Sequence, residues 1–166
     1  MKEPALALDW SAYDSYGQGD AYAALPAHGG GFGKAAAACI GSRTCQRVDG
    51  KSVMCPSFRV TGDDTHSTRH RAATLKAAMN GELGEQPFTH PALAEALDLC
   101  VSCKGCKRDC PNGVDMAALR TEALAQRWHQ QPMPMRERLF ATLPRWLPWL
   151  RWVRPLLALR QRVPLL

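Results

Sequence analysis

Apolar side chains recur at helical spacing in three segments of this chain, at residues 65–80, 91–99 and 114–130. The first segment has Ser67 or Thr68 near its start as a capping residue. No strand pattern competes with these helices, so the sequence predicts an all-α fold. The predicted apolar faces are Ala72, Leu75, Ala78 and Met79, then Leu93, Ala96, Leu97 and Leu99, and then Met116, Leu119, Leu124 and Trp128.

The three helices fall within residues 34–130, which we predict to be the folded domain. Residues 1–33 are rich in Gly, Ala, Tyr and Ser and end in a run of glycines. They are expected to form an irregular N-terminal arm that finishes in a flexible glycine loop. Residues 131–166 form a C-terminal tail rich in Pro, Trp and Arg.

Prolines in this tail are expected to interrupt any long helix, because proline lacks the backbone N–H and clashes with the preceding turn. Trp146, Trp149 and Trp152 alternate with arginines. Such a basic aromatic segment either packs on another protein domain or lies on a membrane surface. The prolines favour packing on a protein, since they spoil the continuous face of an amphipathic membrane helix.

Chain length and net charge exclude few classes of function. The 166 residues suffice for one domain with tails. The net charge of +6 is not accompanied by any nucleic-acid motif. We therefore expect no nucleic-acid partner, and we expect the positive charge to offset an anionic cofactor and to face an acidic protein surface.

The cysteines indicate the cellular compartment. There are seven, an odd number, and no apolar signal stretch follows Met1. Reduced thiols in a cytoplasmic protein fit this pattern better than a disulfide scaffold does. No apolar run of about 18 residues predicts a transmembrane helix, so membrane association is expected only through the tail.

Four cysteines follow each other closely in the middle of the chain. Cys100, Cys103, Cys106 and Cys110 stand directly before Pro111, in the pattern C-x2-C-x2-C-x3-C-P. Ferredoxin-type proteins hold 4Fe–4S clusters with this run, and its fourth cysteine ligates the other cluster where two are present. The spacing therefore predicts iron–sulfur binding. All-cysteine zinc sites also use C-x2-C pairs, which makes structural zinc the alternative.

A second cysteine group looks like an altered copy of the first. When the two groups are aligned by their Cys-Pro ends, Cys39, Ser42, Cys45 and Cys55 match the four cysteines of the run, with a longer gap before Pro56. Crossed ligation then divides the thiols into two sets. Cys55 joins Cys100, Cys103 and Cys106 around one 4Fe–4S cluster, and the set left over is Cys39, Cys45 and Cys110.

The three remaining thiols leave alternatives open. They suit a 3Fe–4S cluster, or a 4Fe–4S cluster whose fourth ligand is Ser42 or His66. Equally, the second site is empty and its cysteines are structural.

The motif order of the chain resembles one family, over about residues 8–139. It is similar to the iron–sulfur region of FAD-linked D-2-hydroxyacid dehydrogenases, which act on D-2-hydroxyglutarate, D-lactate or glycolate. The residues that carry the resemblance are Cys39-Ile40-Gly41, Met54-Cys55-Pro56-Ser57-Phe58-Arg59, His66-Ser67-Thr68-Arg69, Arg71-Ala72, Ala96-Leu97-Asp98-Leu99-Cys100, Cys103-Lys104 and Asp109-Cys110-Pro111.

The resemblance implies an α-helical ferredoxin fold with two cysteine loops. It also implies electron transfer from the flavin of a flavoprotein dehydrogenase domain or subunit to a downstream acceptor. The family's FAD- and substrate-binding portions have no counterpart here, so the chain is expected to be a stand-alone or excised electron-transfer piece that is not catalytic alone. The competing interpretations are a zinc-stabilised basic binding module and a non-functional fragment of a larger dehydrogenase.

Overall fold

The computed structural model describes residues 5–47, 53–150 and 152. Within these ranges the chain is helical and contains no strand, which confirms the all-α prediction. The helices are α1 Gly30–Ala37, α2 Pro56–Thr61, α3 Thr68–Met79, α4 Pro91–Asp98, α5 Gly105–Asp109, α6 Met116–Gln130 and α7 Met135–Leu150. The chain divides into two units between Gln131 and Pro132.

The first unit has one core, built around α3. This helix packs on α1, α4 and α6. Removing apolar side chains from water is the main force that holds such a small helical unit together. The largest fully buried apolar side chains are Phe32, Met54, Leu75, Leu93, Val114, Met116 and Leu119.

Side-chain caps set where the three predicted helices begin. Ser67, His90 and Asp115 each accept a hydrogen bond from a backbone N–H in the first turn of α3, α4 and α6. These caps place the helix starts up to three residues later than the apolar pattern predicted. The inward position predicted for Leu99 is wrong, because α4 ends at Asp98 and the Leu99 side chain is 42% exposed.

The glycine run is part of a helix, so its interpretation as a flexible loop is wrong. Gly30, Gly31 and Gly33 lie in α1, which packs against the N-terminal segment. A Cβ atom on Gly31 would lie 2.7 Å from the carbonyl oxygen of Trp10. Trp10 itself is buried beside Phe32, with ring centroids 5.3 Å apart. The glycines therefore serve close packing between the N-terminal segment and α1.

A buried carboxylate fixes the N-terminal segment to α6. Glu122 is fully buried, and its oxygens accept hydrogen bonds from the backbone N–H groups of Ala7 and Leu8 and from the indole N–H of Trp10, at 2.9–3.1 Å. The Gln126 amide donates a further bond of 2.7 Å. Burial acts to raise the pKa of Glu122, but these hydrogen bonds outweigh it and hold the pKa below its usual range.

Glu122→Gln should destabilise the first unit by roughly 2–3 kcal/mol at neutral pH, because the amide N–H2 cannot accept the bonds that one carboxylate oxygen receives. The folded-state pKa is lowered, so the contribution of Glu122 is present above its unfolded value and is lost as the pH falls through its folded value. Urea midpoints of the two proteins should therefore differ most at pH 7 and converge on acidification. Glu95→Gln, at an exposed position of α4, is the matched control. Equal midpoints for Glu122→Gln and wild type at pH 7 would contradict this role.

The second unit contains α7, so the expectation that prolines exclude a long helix from the tail is wrong. Pro144 and Pro148 lie inside this helix, and both are exposed. Their spacing of one turn puts the two missing N–H groups on one side, where water can satisfy the freed carbonyls. Pro155, Pro164 and most tail arginines lie outside the described residues. No described helix is long and apolar enough to cross a membrane.

Candidate metal centre

The two cysteine loops have the same backbone conformation. Ser102 and its counterpart Gly41 both have positive φ, at 52° and 76°. Lys104 has φ 58° and ψ 11°, and its counterpart Arg43 has φ 58° and ψ 10°. A left-handed conformation is uncommon at non-glycine residues, so its repetition at Arg43 and Lys104 supports the interpretation of the altered loop as a copy of the first.

Four thiols line one small cavity between α2, α3 and the loop of residues 100–106. They are those of Cys55, Cys100, Cys103 and Cys106, the set that crossed ligation predicts for the 4Fe–4S cluster. Two contacts bring the Cys55 segment to this loop. The backbone N–H of Val53 donates to Asp109 over 2.9 Å, and Gly105 approaches the Val53 carbonyl so closely that a Cβ would lie 3.1 Å from its oxygen.

Cys55 stands at a sharp turn immediately before α2. Its φ of 54° and ψ of 64° are left-handed, and Pro56 follows at the first position of the helix, where a missing N–H costs nothing. The Sγ atom accepts a hydrogen bond from the backbone N–H of Thr68 over 3.0 Å and lies 3.1 Å from the Thr68 hydroxyl. Hydrogen bonds to cluster sulfurs stabilise the anionic form and tune the reduction potential.

A buried arginine faces the same thiol. Arg71 is only 2% exposed, and its guanidinium Nη1 donates to Cys55 Sγ over 3.7 Å. The other two nitrogens donate to the Ala96 carbonyl and to the Ser57 hydroxyl, at 2.7 and 2.9 Å. Among the described residues, no carboxylate forms an ion pair with Arg71. A buried cation without a carboxylate is costly unless another anion lies beside it, and an iron-bound thiolate at Cys55 would be such an anion.

Cys106 lies in α5, and its sulfur contacts the start of α6. Its Sγ accepts a hydrogen bond from the backbone N–H of Met116 over 3.4 Å. Asp115 caps α6 and forms an ion pair of 3.1 Å with Lys107. Burial raises the pKa of the Cys106 thiol above its usual value. Such a buried thiol is protonated at neutral pH, and binding of a metal displaces the proton.

The altered loop places Cys39 and Cys45 near each other. Burial, followed by the charges of Cys55 and Cys39, raises the pKa of Cys45 to about 11. Cys39 also lines a separate cavity, of about 860 Å³, with Arg69, His70 and other residues. Cys110 lies half-buried at the end of α5 and lines neither this cavity nor the four-thiol cavity.

The two candidate fourth ligands of the altered loop differ in their surroundings. Ser42 is exposed, as Cys103 is, and its hydroxyl lies 3.2 Å from that of Thr44. The Nδ1 atom of His66 is buried and has no hydrogen-bond partner in the described structure. A buried ring nitrogen without a partner is costly unless a metal or an ordered water satisfies it.

Within the described ranges, no three His, Cys, Asp or Glu side chains stand close enough to share a single metal ion. An iron–sulfur cluster differs from a single ion in this respect, because each cysteine binds a different iron atom. The four thiols around the cavity, together with the donors to their sulfurs, fit an anionic cluster by the chemistry of the donor set.

Comparison with protein families supports an iron–sulfur domain. Residues 35–114 match the family model described as a 4Fe–4S dicluster domain, and this match covers slightly less than half of the chain. The match confirms the predictions of iron–sulfur binding and of a helical ferredoxin-like fold. The match includes both cysteine groups, from Cys39 to Cys110.

The chain is also similar to short portions of larger curated proteins. The chain is similar to D-2-hydroxyglutarate dehydrogenase of Escherichia coli, at 26% identity over 66% of this chain and 14% of that protein. The same enzyme of Pseudomonas putida is 24% identical over 72% of this chain and 16% of that protein. A Bacillus subtilis protein named "Probable glycolate oxidase iron-sulfur subunit" is 32% identical over 48% of this chain and 17% of that protein. These relatives confirm the family resemblance. No solved structure matches the chain.

The chain spans less than a fifth of the length of these relatives. The sequence indicates the cysteines, and it also favours Arg69, His70 and Arg71 as a basic helix start that neutralises nearby cluster charge. It does not show that Arg71 is the buried member of this group that reaches Cys55 Sγ, because a charged residue at the start of a helix usually lies in solvent. Thr68 as a donor to the same sulfur has no signal in the sequence beyond its place in the resemblance.

Proposed function

We propose that this chain is an iron–sulfur electron-transfer module in which Cys55, Cys100, Cys103 and Cys106 ligate one 4Fe–4S cluster. The observation that carries the ligand assignment is the cavity lined by these four thiols, with the buried guanidinium of Arg71 beside one of them. A 4Fe–4S cluster supplies one-electron oxidation and reduction when it is bound. The chain contributes ligands, orientation and positive charge.

The protein groups around the cavity have separate tasks in this proposal. Thr68 and Arg71 donate hydrogen bonds to Cys55 Sγ, which favours the more negative, reduced state. Arg71 and Arg120 donate from Nε to the consecutive carbonyls of Ala96 and Leu97 at the end of α4. These two contacts fix the helix end that delivers Cys100. Burial of Cys55 and Cys106 keeps water away from their sulfurs.

The electron donor in this proposal is a flavoprotein, present as a domain or as a separate subunit. The support is the kinship with D-2-hydroxyglutarate dehydrogenases and with a glycolate oxidase iron–sulfur subunit. A downstream acceptor then takes the electrons. The substrate class is a 2-hydroxy acid, since both relatives are named for one, and oxidation of it takes place at the flavin and not on this chain.

Visible absorption of protein purified without oxygen tests the cofactor. We expect a brown protein with broad absorption that bleaches when dithionite is added, and about four iron atoms and four sulfides for each occupied 4Fe–4S site. A colourless protein that contains zinc would support the zinc-stabilised binding module instead and would overturn the proposal.

For the second site we propose a 3Fe–4S cluster held by Cys39, Cys45 and Cys110. The support is the equivalent backbone of the two loops, which puts Ser42 where the first loop has Cys103. The wild-type chain should then contain about seven irons and show the paramagnetic signal of an oxidised 3Fe cluster. About eight irons without that signal would instead favour a 4Fe–4S cluster with a non-cysteine ligand. His66 is the better candidate for that ligand, because its Nδ1 is buried and has no hydrogen-bond partner in the described structure.

Ser42→Cys should convert the second site to a 4Fe–4S cluster. The loop already has the backbone of the complete copy, so little movement is required, and sulfur is a softer ligand for iron than the serine hydroxyl. Iron per chain should rise by about one, and the 3Fe signal should disappear. Ser42→Ala is the control and should leave the iron content and the 3Fe signal unchanged. If wild type contains only about four irons and Ser42→Cys gains none, the second site is structural.

The tail helix offers a further contact region. Leu139, Phe140, Trp146, Leu147 and Trp149 of α7 are each at least 54% exposed. These exposed side chains support a contact with a partner protein, which the sequence also favours. A membrane surface is the alternative. Flotation with anionic and with zwitterionic vesicles separates the two, since only the membrane alternative predicts that the protein floats with anionic vesicles.

A further inference from the structure

One cysteine of the four-thiol cavity reaches the surface. Of the seven cysteines, Cys103 alone is classed as exposed, whereas Cys45, Cys55 and Cys106 are buried and the other three are half-buried. Electron exchange between proteins slows steeply as the distance between the redox centres grows. If Cys103 ligates the cluster, the protein surface around it offers the shortest route for electrons. In the altered loop, the equivalent exposed position is occupied by Ser42, which has no thiol.

The surface around Cys103 is positively charged. Lys104, Lys107 and Arg108 line a shallow depression together with Cys103. Lys107 forms an ion pair with Asp115, and Arg108 forms one with Asp109. In both pairs the cation is far more exposed to solvent than the acid. The side chains of the two cations are 61% and 67% exposed, and those of the two acids are 8% and 16% exposed. An approaching molecule therefore meets the cations first.

Two exposed apolar side chains lie beside these positively charged residues. Val101 is 67% exposed and Val53 is 47% exposed. Val53 lines the depression, and Val101 lies two residues before Cys103 and lines the four-thiol cavity with it. A small apolar centre with a charged rim is the usual anatomy of a transient protein–protein interface.

We propose that this basic face, made of Val53, Val101, Cys103, Lys104, Lys107 and Arg108, is the docking surface for the acidic face of a redox protein that exchanges electrons with the cluster. The proposal rests on the proposed function and adds the place and charge of the contact. Opposite charges bring the partner to Cys103, and the valines allow close approach without burying a charge. Electrostatic steering of this kind raises association rates and falls with ionic strength.

Charge reversal at Lys104 tests the docking surface. Lys104→Glu changes the net charge by two and keeps a side chain with a Cβ at this left-handed position, so it adds no new backbone strain. Arg127→Glu is the matched control, because it makes the same change in charge at a site lined by Phe88, Leu97 and other residues but by no cysteine. Both variants should retain wild-type visible absorption and iron content.

Stopped-flow oxidation of the dithionite-reduced protein gives the readout. Two high-potential proteins of opposite charge serve as probes, an acidic plastocyanin and a basic cytochrome c. In each reaction one electron leaves the reduced protein and converts Cu(II) to Cu(I) or haem Fe(III) to Fe(II). At low salt, Lys104→Glu should slow the reaction with plastocyanin roughly tenfold and should not slow the reaction with cytochrome c, whereas Arg127→Glu should match wild type. About 0.5 M salt should remove the difference.

Several outcomes would overturn the docking surface while the cluster is retained. They are a rate with plastocyanin that does not depend on salt, an equal loss in Lys104→Glu and Arg127→Glu, or no loss in Lys104→Glu. Loss of binding to anionic vesicles or to DNA in Lys104→Glu, with unchanged plastocyanin kinetics, would assign the face to that ligand instead. A wild-type protein without visible absorption would overturn the proposed function itself, which separates the two failures.

Discussion

Cys55→Ala should remove the 4Fe–4S cluster, whereas Cys110→Ala should leave that cluster in place. The reason is that Cys55 lines the cavity shared by Cys100, Cys103 and Cys106, although it lies 45 positions before Cys100, and Cys110 does not line it. Iron in Cys55→Ala should fall by about four atoms per chain, and the visible absorption of the 4Fe–4S cluster should disappear. Cys103→Ala should behave in the same way.

Loss of the cluster should also destabilise the first unit. Cluster binding supplies folding free energy to a small domain whose sites do not exist in the unfolded chain. In Cys55→Ala, Arg71 would in addition remain buried without its sulfur partner, which costs more than the loss of a neutral hydrogen bond. Far-UV circular dichroism during thermal unfolding should therefore show a lower midpoint for Cys55→Ala than for Cys110→Ala.

The opposite pair of results would show that ligation is not crossed. If Cys55→Ala keeps the absorption and Cys110→Ala loses it, the four cysteines of the run 100–110 act together. The Ser42→Ala variant provides a baseline for Cys55→Ala and Cys110→Ala, because it alters a cysteine loop without removing a thiol. Its absorption should equal that of wild type if Ser42 is not a ligand.

Local sequence patterns predicted the parts of the structure that depend on neighbouring residues. The helices of residues 65–80, 91–99 and 114–130 follow from apolar spacing and capping residues, and they appear in the structure with ends shifted by up to three residues. The grouping of Cys55 with Cys100, Cys103 and Cys106 followed from the spacing of two Cys-Pro motifs and from known crossed ligation. These four thiols line one cavity, and their ligation stays a prediction.

Contacts between distant segments explain what the patterns missed. Glu122 and Gln126 are buried, although a carboxylate and an amide on a helix normally face water. Their donors and acceptors lie in residues 5–10, more than 110 positions away, so no local pattern contains them. The glycine run predicts a loop at Gly31 for the same reason, since the close neighbour that explains this glycine is Trp10. Prolines predict a broken helix in the tail, but Pro144 and Pro148 lie on an exposed side of α7, where water replaces the lost hydrogen bonds.

Arg71→Met should lower the reduction potential of the 4Fe–4S cluster by about 60 mV. The guanidinium lies 3.7 Å from Cys55 Sγ and has no described carboxylate partner, so its charge acts on the cluster. A positive charge favours the reduced state, which carries one more negative charge, and its removal therefore makes reduction harder. A shift of 60 mV corresponds to about 1.4 kcal/mol for one electron, close to the lower end of the range of about 1.5–3 kcal/mol for hydrogen bonds to charged groups.

Arg120→Met is the matched control for Arg71→Met. Both arginines donate from Nε to a carbonyl at the end of α4, at Ala96 and at Leu97, but Arg120 has no described contact with a cluster cysteine. Arg120→Met should therefore lose comparable support for α4 and keep the wild-type potential. Arg71→Lys should fall between wild type and Arg71→Met, because it keeps the charge and loses the planar fork that joins Ala96, Ser57 and Cys55.

Redox titration followed by visible absorption or by the paramagnetic signal of the reduced cluster measures these potentials. The role of Arg71 as the counter-charge would be wrong if Arg71→Met and Arg120→Met had the same potential as wild type. It would also be wrong if the two variants shifted the potential equally. The shift would then come from the lost support of the end of α4, which both arginines contact, and not from the charge of Arg71. If Arg71→Met does not assemble the cluster, the reduction potential of Arg71→Lys decides the role of Arg71. A potential equal to that of wild type would then contradict that role. The spatial arrangement accounts for this sensitivity, since one buried cation joins α2, α3, α4 and a cysteine sulfur.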